Sequence, residues 1–388
     1  MTNKSSPSYD LIIECCRSES DTFKLEDLSS QIIDWNSFLN SAYVHGVYPL
    51  IVKSLKTITT VPDQIISVMK TTNIDIARHN MTMTSELLRV MKILEENGIE
   101  SLAIKGPVLS QMIYKDVVTR QYVDIDLLVE EKNLYPTVQL LMTLGYSYEH
   151  LADFLHNRAL LKYEKNVTLY HIRNKVKLEI HWKLFMGRLF KQVNSNHFNT
   201  PKSSIMLQGY LIRTLDQNQT LFYLILHGSK HLWERVEWLS DIDRLVRTEI
   251  YEWDKIEQQA IVTKTLTLLY LGIALVSKIF QTPFPQNILD KATKYPSIHA
   301  AVEDLTHRIF MDRIHTVDQY MENYLYLGLD GSQPIISKML SRLYKPGHED
   351  IYRVNLPSGL HWVYYLILLK RVIFVQCTKI LQRIKGKK

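Results

Sequence analysis

Cysteine is scarce in this chain, whose 388 residues contain only Cys15, Cys16 and Cys377. Three cysteines without zinc-ligand spacing cannot form a disulfide framework, and this composition is typical of a reducing compartment. The first residues, MTNKSSPSYD, also lack the apolar core of a signal peptide. The sequence therefore predicts a cytoplasmic protein.

Long apolar runs are lacking as well. The run Leu266–Phe280 is broken by Lys278 and falls short of the roughly 20 residues that a spanning helix needs, so it predicts a buried core helix. The stretch from His361 to Leu381 is interrupted by Lys370 and Arg371 and followed by a basic tail. We expect it to pack against the rest of the protein, with contact to an anionic membrane surface as the alternative.

The net charge is modest and the composition is ordinary, so neither indicates a function. The net charge is +6 with a pI near 8.9, and 46% of the residues are apolar against 22% charged. These values describe an ordinary globular protein with room for two or three domains. A mildly basic chain suits a phosphate-bearing ligand, but many such proteins bind none.

The apolar pattern divides the chain into three parts. We expect a helical region over 1–75, an α+β core with a small mixed sheet over 76–205, and a mostly helical region over 206–388. A long helix from about Thr72 to Asn97, stopped by Gly98, leads into the core.

The centre of the core is a run from Ser101 to Val129 that contains the string VDIDLLV. Asp124 and Asp126 lie two apart in an apolar strand, so both carboxylates project from the same face. Two adjacent anions raise each other's pKa unless a cation lies between them. The string therefore predicts a divalent metal.

A possible phosphate site precedes these aspartates. The strand Leu102 to Ile104 ends at Lys105-Gly106-Pro107, where glycine permits a tight turn and proline favours the first position of a helix. The N-terminus of a helix attracts phosphate, and Lys105 could add charge. The same pattern is also common as a purely structural turn.

A further carboxylate lies in a predicted hairpin between about Leu160 and Phe185. Its second strand, VKLEIHWKL, places Glu179 and His181 on one face. A carboxylate in an apolar strand needs a partner, and Glu179 is thus a candidate third ligand. Three such carboxylates can hold two divalent ions about 3.5 to 4 Å apart. Oxygen ligands select hard cations, so we expect Mg²⁺, with Mn²⁺ as the alternative.

These motifs together resemble a known family. The set KG, RxxxDIDLLV and LEIHWKL, continued by Leu224 to Ile242, is similar to bacterial nucleotidyltransferases of the DNA polymerase beta-like superfamily over roughly 80–250. The resemblance implies a small mixed sheet, Mg-NTP as substrate, and Asp124, Asp126 and Glu179 as metal ligands. It also implies that Gly106 shapes the phosphate turn.

The phosphate turn departs from the superfamily pattern, because Pro107 stands where Gly or Ser is usual and has no N–H to donate. Lys105, Ser110 or Arg120 could compensate. Arg120 could neutralise the triphosphate or pair with Asp116. His181 could orient the nucleophile or act as a base, or be an ordinary core histidine.

The helical segment after the core adds further candidates. His227 and His231 lie four apart on one helix face, a spacing that can bind zinc. Together with Lys230, Trp233 and Asp241 they could instead line a cleft and hold the base or acceptor, or serve only in packing. Asp241 and Asp243 follow Ser240, which predicts a helix start with Ser240 as N-cap rather than a second metal pair.

The sequence thus favours transfer of a nucleoside monophosphate from an Mg-bound NTP, ATP by default, to a hydroxyl on a small molecule, protein or RNA, with release of pyrophosphate. One alternative is an inactive binding or regulatory module that keeps the fold, because Pro107 weakens the phosphate turn. Another is a toxin-like enzyme that modifies tRNA. The tyrosines near the C-terminus, among them Tyr320, Tyr344 and Tyr364, could contact nucleic acid or pack between helices.

Overall fold

The computed structural model describes residues 6–148, 159–186, 190, 192–193, 202–309, 346, 350–351, 354 and 356–371. The first 96 residues contribute five helices to this part of the chain. They are α1 Pro7–Cys16, α2 Thr22–Ser30, α3 Trp35–Val44, α4 Tyr48–Leu55 and α5 Asp63–Glu96. Asp21 and Asp34 cap α2 and α3 by accepting hydrogen bonds from backbone amides of the first turn.

A five-stranded mixed sheet follows, in the order β1-β2-β5-β4-β3. Its elements are β1 Ser101–Ala103, α6 Pro107–Tyr114, β2 Ile125–Val129, α7 Leu134–Thr143, β3 Tyr146–Ser147, α8 Ala159–Tyr163, β4 Asn166–His171 and β5 Lys177–His181. Strands β2 and β5 are parallel, while β4 is antiparallel to β5. This confirms the predicted α+β class and the predicted hairpin.

The prediction that the chain is mostly helical from Leu207 onwards missed a second hairpin. Strands β6 Lys202–Leu207 and β7 Tyr210–Leu215 pair in antiparallel register. Gln208 and Gly209, which connect them, both have positive φ, as a tight two-residue hairpin turn requires. Residue 205, the predicted end of the core, lies inside β6.

Helices make up most of the remaining described chain. They are α9 Gln217–Lys230, α10 Val236–Thr248, α11 Trp253–Val262, α12 Leu266–Phe280, α13 Gln286–Thr293 and α14 Pro296–Ile309, and residues 363–371 are also helical. The buried helix predicted for Leu266–Phe280 is confirmed. The N-cap predicted at Ser240 is wrong, because α10 begins one turn earlier and Ser240 lies within it. None of the helices described is long and apolar enough to cross a bilayer.

Several C-terminal expectations fall on residues outside the described part. Tyr320, Tyr324, Tyr326, Tyr344 and Tyr352 are among them, as are residues 372–388 of the stretch considered for membrane contact. Tyr364 is fully buried, while Tyr365 is 43% exposed. Packing is therefore the role of Tyr364.

The buried apolar residues form two clusters joined by the long helix α5. One cluster combines the N-terminal helices with α9 to α14, and Met69 and Ile76 of α5 belong to it. The other lies around the sheet and includes Met83 and Leu94 of the same helix. The helix predicted from Thr72 begins at Asp63 and runs through the boundary predicted at residue 75, so the two clusters share a continuous element.

Trp233 is fully buried where α9 ends, and its packing depends on a glycine. A Cβ on Gly228 of α9 would overlap the indole ring, and one on Gly272 would lie 2.9 Å from it. Leu232 and Trp233 both have positive φ, a conformation that costs energy for residues other than glycine. The indole therefore fixes the path of the chain between α9 and α10.

We predict that Gly228→Ala lowers the free energy of unfolding by about 2 kcal/mol, because the added methyl group overpacks the site against Trp233. Alanine is normally more stable than glycine inside a helix by roughly 0.5–1 kcal/mol, so a loss would report the packing. Urea denaturation measures the change. Gly359→Ala is the control, since nothing lies within 4 Å of its Cβ; equal stability of the two variants would contradict the packing.

Candidate functional site

A cleft of about 460 Å³ lies between the sheet, the turn before α6 and the segment that joins α9 to α10. We call it the carboxylate cleft. The predicted site residues that line it are Lys105, Gly106, Arg120, Asp124, Asp126, Glu179, His181, His227, Lys230 and His231. A larger cavity of about 630 Å³, between α5 and β7, is lined by none of the predicted site residues.

The register of two parallel strands brings the acidic side chains together. Asp126 of β2 lies opposite Glu179 of β5, and Leu128 lies opposite His181. Because side chains alternate along a strand, Asp126, Glu179 and His181 share one face while Leu127 and Ile180 are buried on the other. The expected convergence of Asp126 and Glu179 is therefore observed.

Asp126 is only 2% exposed and is held by two groups. His181 Nε2 lies 2.8 Å from its Oδ1, and Lys105 Nζ lies 3.3 Å from its Oδ2. Burial would raise the pKa of Asp126, but the charge of Lys105 and then the hydrogen bond with His181 outweigh it and hold this pKa well below its usual value. Asp126 is therefore ionised at neutral pH.

Glu179 is ionised as well. Its Oε2 accepts a hydrogen bond from Asn166 at 2.8 Å and lies 3.4 Å from His181 Nε2, while its Oε1 lies 2.7 Å from Lys177 Nζ. Burial favours the neutral acid, but the hydrogen bonds with His181 and Lys177 lower the pKa of Glu179 from 4.5 to about 2.

Asp124 joins this group through a lysine. Lys177 Nζ lies 3.1 Å from Asp124 Oδ2 and also contacts Glu179, so one ammonium links the two carboxylates. Burial and then repulsion by Asp126 raise the pKa of Asp124. The predictions did not include Lys177, although it lies two residues before Glu179 and alternation places it on the same face of β5.

The residues present fit a divalent cation. One ligand atom from each of Asp126, Glu179 and His181 can be chosen so that all three lie within 4.8 Å of one another. Oδ2 of Asp126 is buried and accepts no hydrogen bond from the described residues. Two ionised carboxylates and an imidazole form a donor set for a divalent metal; it contains His181 where the sequence favoured Asp124.

The turn before α6 has the geometry that requires glycine. Gly106 has φ 60° and ψ −129°, a region open to glycine and costly for other residues. A Cβ there would also lie 3.1 Å from the carbonyl oxygen of Asp124. Ser110 does not compensate for Pro107: it is fully buried, lies outside the lining and donates a hydrogen bond to the Asp116 carbonyl at 2.7 Å.

Arg120 has a different partner from the one predicted. It is 6% exposed, and its Nε donates to Asp241 Oδ2 at 3.0 Å while its Nη2 lies 3.7 Å from Glu237. Pairing with Asp116 is therefore wrong. Asp241 is fully buried and outside the lining, so its predicted contact with base or acceptor is also wrong; it holds Arg120 in place.

Four aromatic rings line one wall of the cleft. His227 and His231 have ring centroids 4.7 Å apart, and Trp238 lies 5.3 Å and 5.5 Å from them, with Tyr223 next to His227 at 5.8 Å. No third described ligand joins the two histidines in a metal group. The predicted contact by Trp233 is wrong because that side chain is buried behind the cleft; Trp238, which the predictions missed, lies in the lining.

Both wall histidines are neutral at physiological pH. Burial and then the charge of Lys105 lower the pKa of His227 well below its usual value, and burial with the charge of Lys230 lowers that of His231 to about 3. Neutral imidazoles can stack against a planar ligand without adding charge.

Comparison with known proteins shows the family to which the chain belongs. Residues 31–281 match the family described as uncharacterised nucleotidyltransferase, which is well over half of the chain. The chain belongs to this nucleotidyltransferase family. The predicted family is thereby confirmed, and with it a general nucleotidyltransferase role.

A solved structure also resembles this chain. It is an antigenic nucleotidyltransferase-like protein from Paracoccidioides brasiliensis, 13% identical, with a TM-score of 0.31. The match covers 56% of this chain and 96% of the other. No curated protein matches this chain.

We predict that the neutral histidines make the protein less stable in acid. Their pKa values are lower in the folded than in the unfolded chain, so stability is lost as pH falls through about 6.5. Between pH 7 and pH 5 each should contribute a loss of about 2 kcal/mol in the free energy of unfolding, measured by urea denaturation. His227→Gln/His231→Gln should show a smaller loss than the wild type.

His299→Gln is the matched control for that prediction, because His299 has a side chain 73% exposed. It should keep the full pH dependence of the wild type. Identical pH profiles for the double variant and this control would show that the wall histidines are not neutral in the folded protein.

Proposed function

We propose that the protein transfers a nucleoside monophosphate from an Mg-bound NTP, ATP by default, to a hydroxyl acceptor and releases pyrophosphate. The observation that carries the proposal is the pair of ionised carboxylates, the buried Asp126 and the partly buried Glu179, beside His181 in a cleft that also contains the Gly106 turn. Buried anions in such a cleft are costly unless they bind a cation.

Asp124, Asp126 and Glu179 are the proposed metal ligands, and His181 lies close enough to join them. When bound, the divalent ions, Mg²⁺ by default or Mn²⁺, would stabilise charge on the phosphorus and activate the attacking hydroxyl. His181 Nε2 contacts both Asp126 and Glu179. Its proposed role is therefore to position these carboxylates rather than to act as a free base.

The remaining lining suggests how the nucleotide is oriented. Lys105 and Gly106 lie beside the carboxylates, where a phosphate would approach. On the wall formed by His227, His231 and Trp238, a base could stack with a favourable free energy of about 1–3 kcal/mol. The ammonium of Lys105 and the rings then hold opposite ends of the same ligand.

Two alternatives remain outcomes of the same experiment. Pro107 supplies no amide at the first position of α6, and this favours the inactive binding or regulatory module. A toxin-like enzyme would use the same cleft with tRNA as the acceptor.

The test uses the full chain with each of four NTPs labelled at the α-phosphate, together with size-fractionated cell extract and purified tRNA as acceptor pools. We predict Mg²⁺-dependent labelling of one pool. Asp126→Asn and Glu179→Gln should each reduce labelling at least about 100-fold, because even residues that only support metal ligands contribute 10–100-fold.

Asp75→Asn is the charge-matched control, since Asp75 has a side chain 68% exposed and lies on α5 far along the chain from the cleft residues. Thermal unfolding verifies that each variant is folded. NTP binding without labelling would indicate the binding module, labelling of tRNA the toxin-like enzyme. Mg²⁺-dependent NTP binding that survives both cleft substitutions would refute the proposed site.

A further inference from the structure

Two lysines of the carboxylate cleft differ from its other cations. Lys105 pairs with Asp126, Arg120 with Asp241, and Arg235 with Glu237. Lys165 and Lys230 also line the cleft, yet neither forms a salt bridge with a carboxylate in the described part of the chain. They are the cations that remain available to a ligand.

Rigid elements hold both lysines next to the acidic cluster. Lys165 precedes β4, and its carbonyl accepts hydrogen bonds from the amides of Trp182 and Lys183 at 3.0 and 3.2 Å. The next residue, Asn166, donates to Glu179. Lys230 is the last residue of α9 and precedes His231 of the aromatic wall. Both lysines line the same cleft as the carboxylates and that wall.

Their charges are unfavourable without a counter-ion. Burial lowers the pKa of Lys165, and burial followed by repulsion from Lys165 and Lys105 lowers that of Lys230 to about 8. Repulsion of this kind arises only between charges that lie close together. An anion bound between Lys165 and Lys230 would relieve both the desolvation and the repulsion.

The chemistry of the cleft points to a phosphate anion. An ammonium binds phosphate as a compact point charge. The neighbouring carboxylates repel any anion, and a polyphosphate that also bound the proposed metal would offset that repulsion. A nucleotide with its α-phosphate at Asp126 and Glu179 has further phosphates to place, and Lys165 and Lys230 are the cations in the lining that no carboxylate already holds.

We propose that Lys165 and Lys230 form a subsite for the β- and γ-phosphates of the bound NTP, and hence for the pyrophosphate that is released. This inference rests on the proposed function. It gives the two lysines a different role from that of Lys105, whose ammonium forms an ion pair with Asp126. It also predicts that their role depends on the number of phosphates in the ligand.

The test is calorimetry of the full chain with Mg-pyrophosphate, Mg-ATP and AMP. Lys165→Met and Lys230→Met should each weaken pyrophosphate and ATP binding about tenfold, the range expected for one charge-assisted contact, while AMP affinity stays within about twofold. Lys230→Arg keeps the charge and should retain most of the affinity. Lys70→Met, at an exposed position of α5, is the matched control.

Thermal unfolding of the ligand-free protein gives a second readout with the opposite sign. Because the folded state lowers the pKa of Lys230, folding at neutral pH carries a cost that Lys230→Met removes. The melting temperature of this variant should equal or exceed that of the wild type while its affinity falls. A merely structural lysine would lose stability.

The outcomes separate this inference from the proposed function. Wild-type protein that binds neither Mg-ATP nor Mg-pyrophosphate would overturn both. If the wild type binds ATP and Asp126→Asn abolishes labelling, but both lysine variants bind ATP like Lys70→Met, only the subsite is refuted. Equal losses for AMP and ATP would also refute it.

Discussion

The charge balance around Asp126 is the constraint on which the site depends. A buried carboxylate without partners would be protonated, and here Lys105 and His181 keep Asp126 ionised near the start of β2. The strand register then fixes Glu179 opposite Asp126. The ionised Asp126 of β2 and Glu179 of β5 therefore form one site.

The same ions connect the sheet to the helices. Lys105 immediately precedes the Gly106 turn. Arg120, four residues before Asp124, forms ion pairs with Asp241 and Glu237 of α10. Buried ion pairs of this kind add little net stability, but removing one partner is expensive. The position of the aromatic wall relative to the carboxylates is therefore set by contacts that tolerate little change.

Features with a short-range signal could be predicted from the sequence. Alternation in KLEIHW was enough to place Glu179 and His181 on one face of their strand, and the apolar run was enough for the helix Leu266–Phe280. The hairpin β6–β7 also had a local signal, at Gln208-Gly209, that was not recognised.

Long-range partners could not be predicted in this way. Arg120 and Asp241 are 121 residues apart, and no periodicity relates them. The finding that Trp238, and not the predicted Trp233, lines the cleft has a similar cause. The position of the Trp233 side chain depends on positive φ at Leu232 and Trp233 and on the space beside Gly228 and Gly272. Such backbone detail has no counterpart in the pattern of apolar residues.

Helix α5 has a mechanical consequence for the molecule. Its 34 residues extend about 50 Å, and its two halves are anchored in different hydrophobic clusters. Because a helix is stiff along its axis, loss of one hydrophobic cluster removes packing contacts from half of α5. The other cluster packs against the same helix and is weakened as well. We therefore expect the sheet and the helical layers to unfold as one cooperative unit, because α5 contributes residues to the hydrophobic clusters of both.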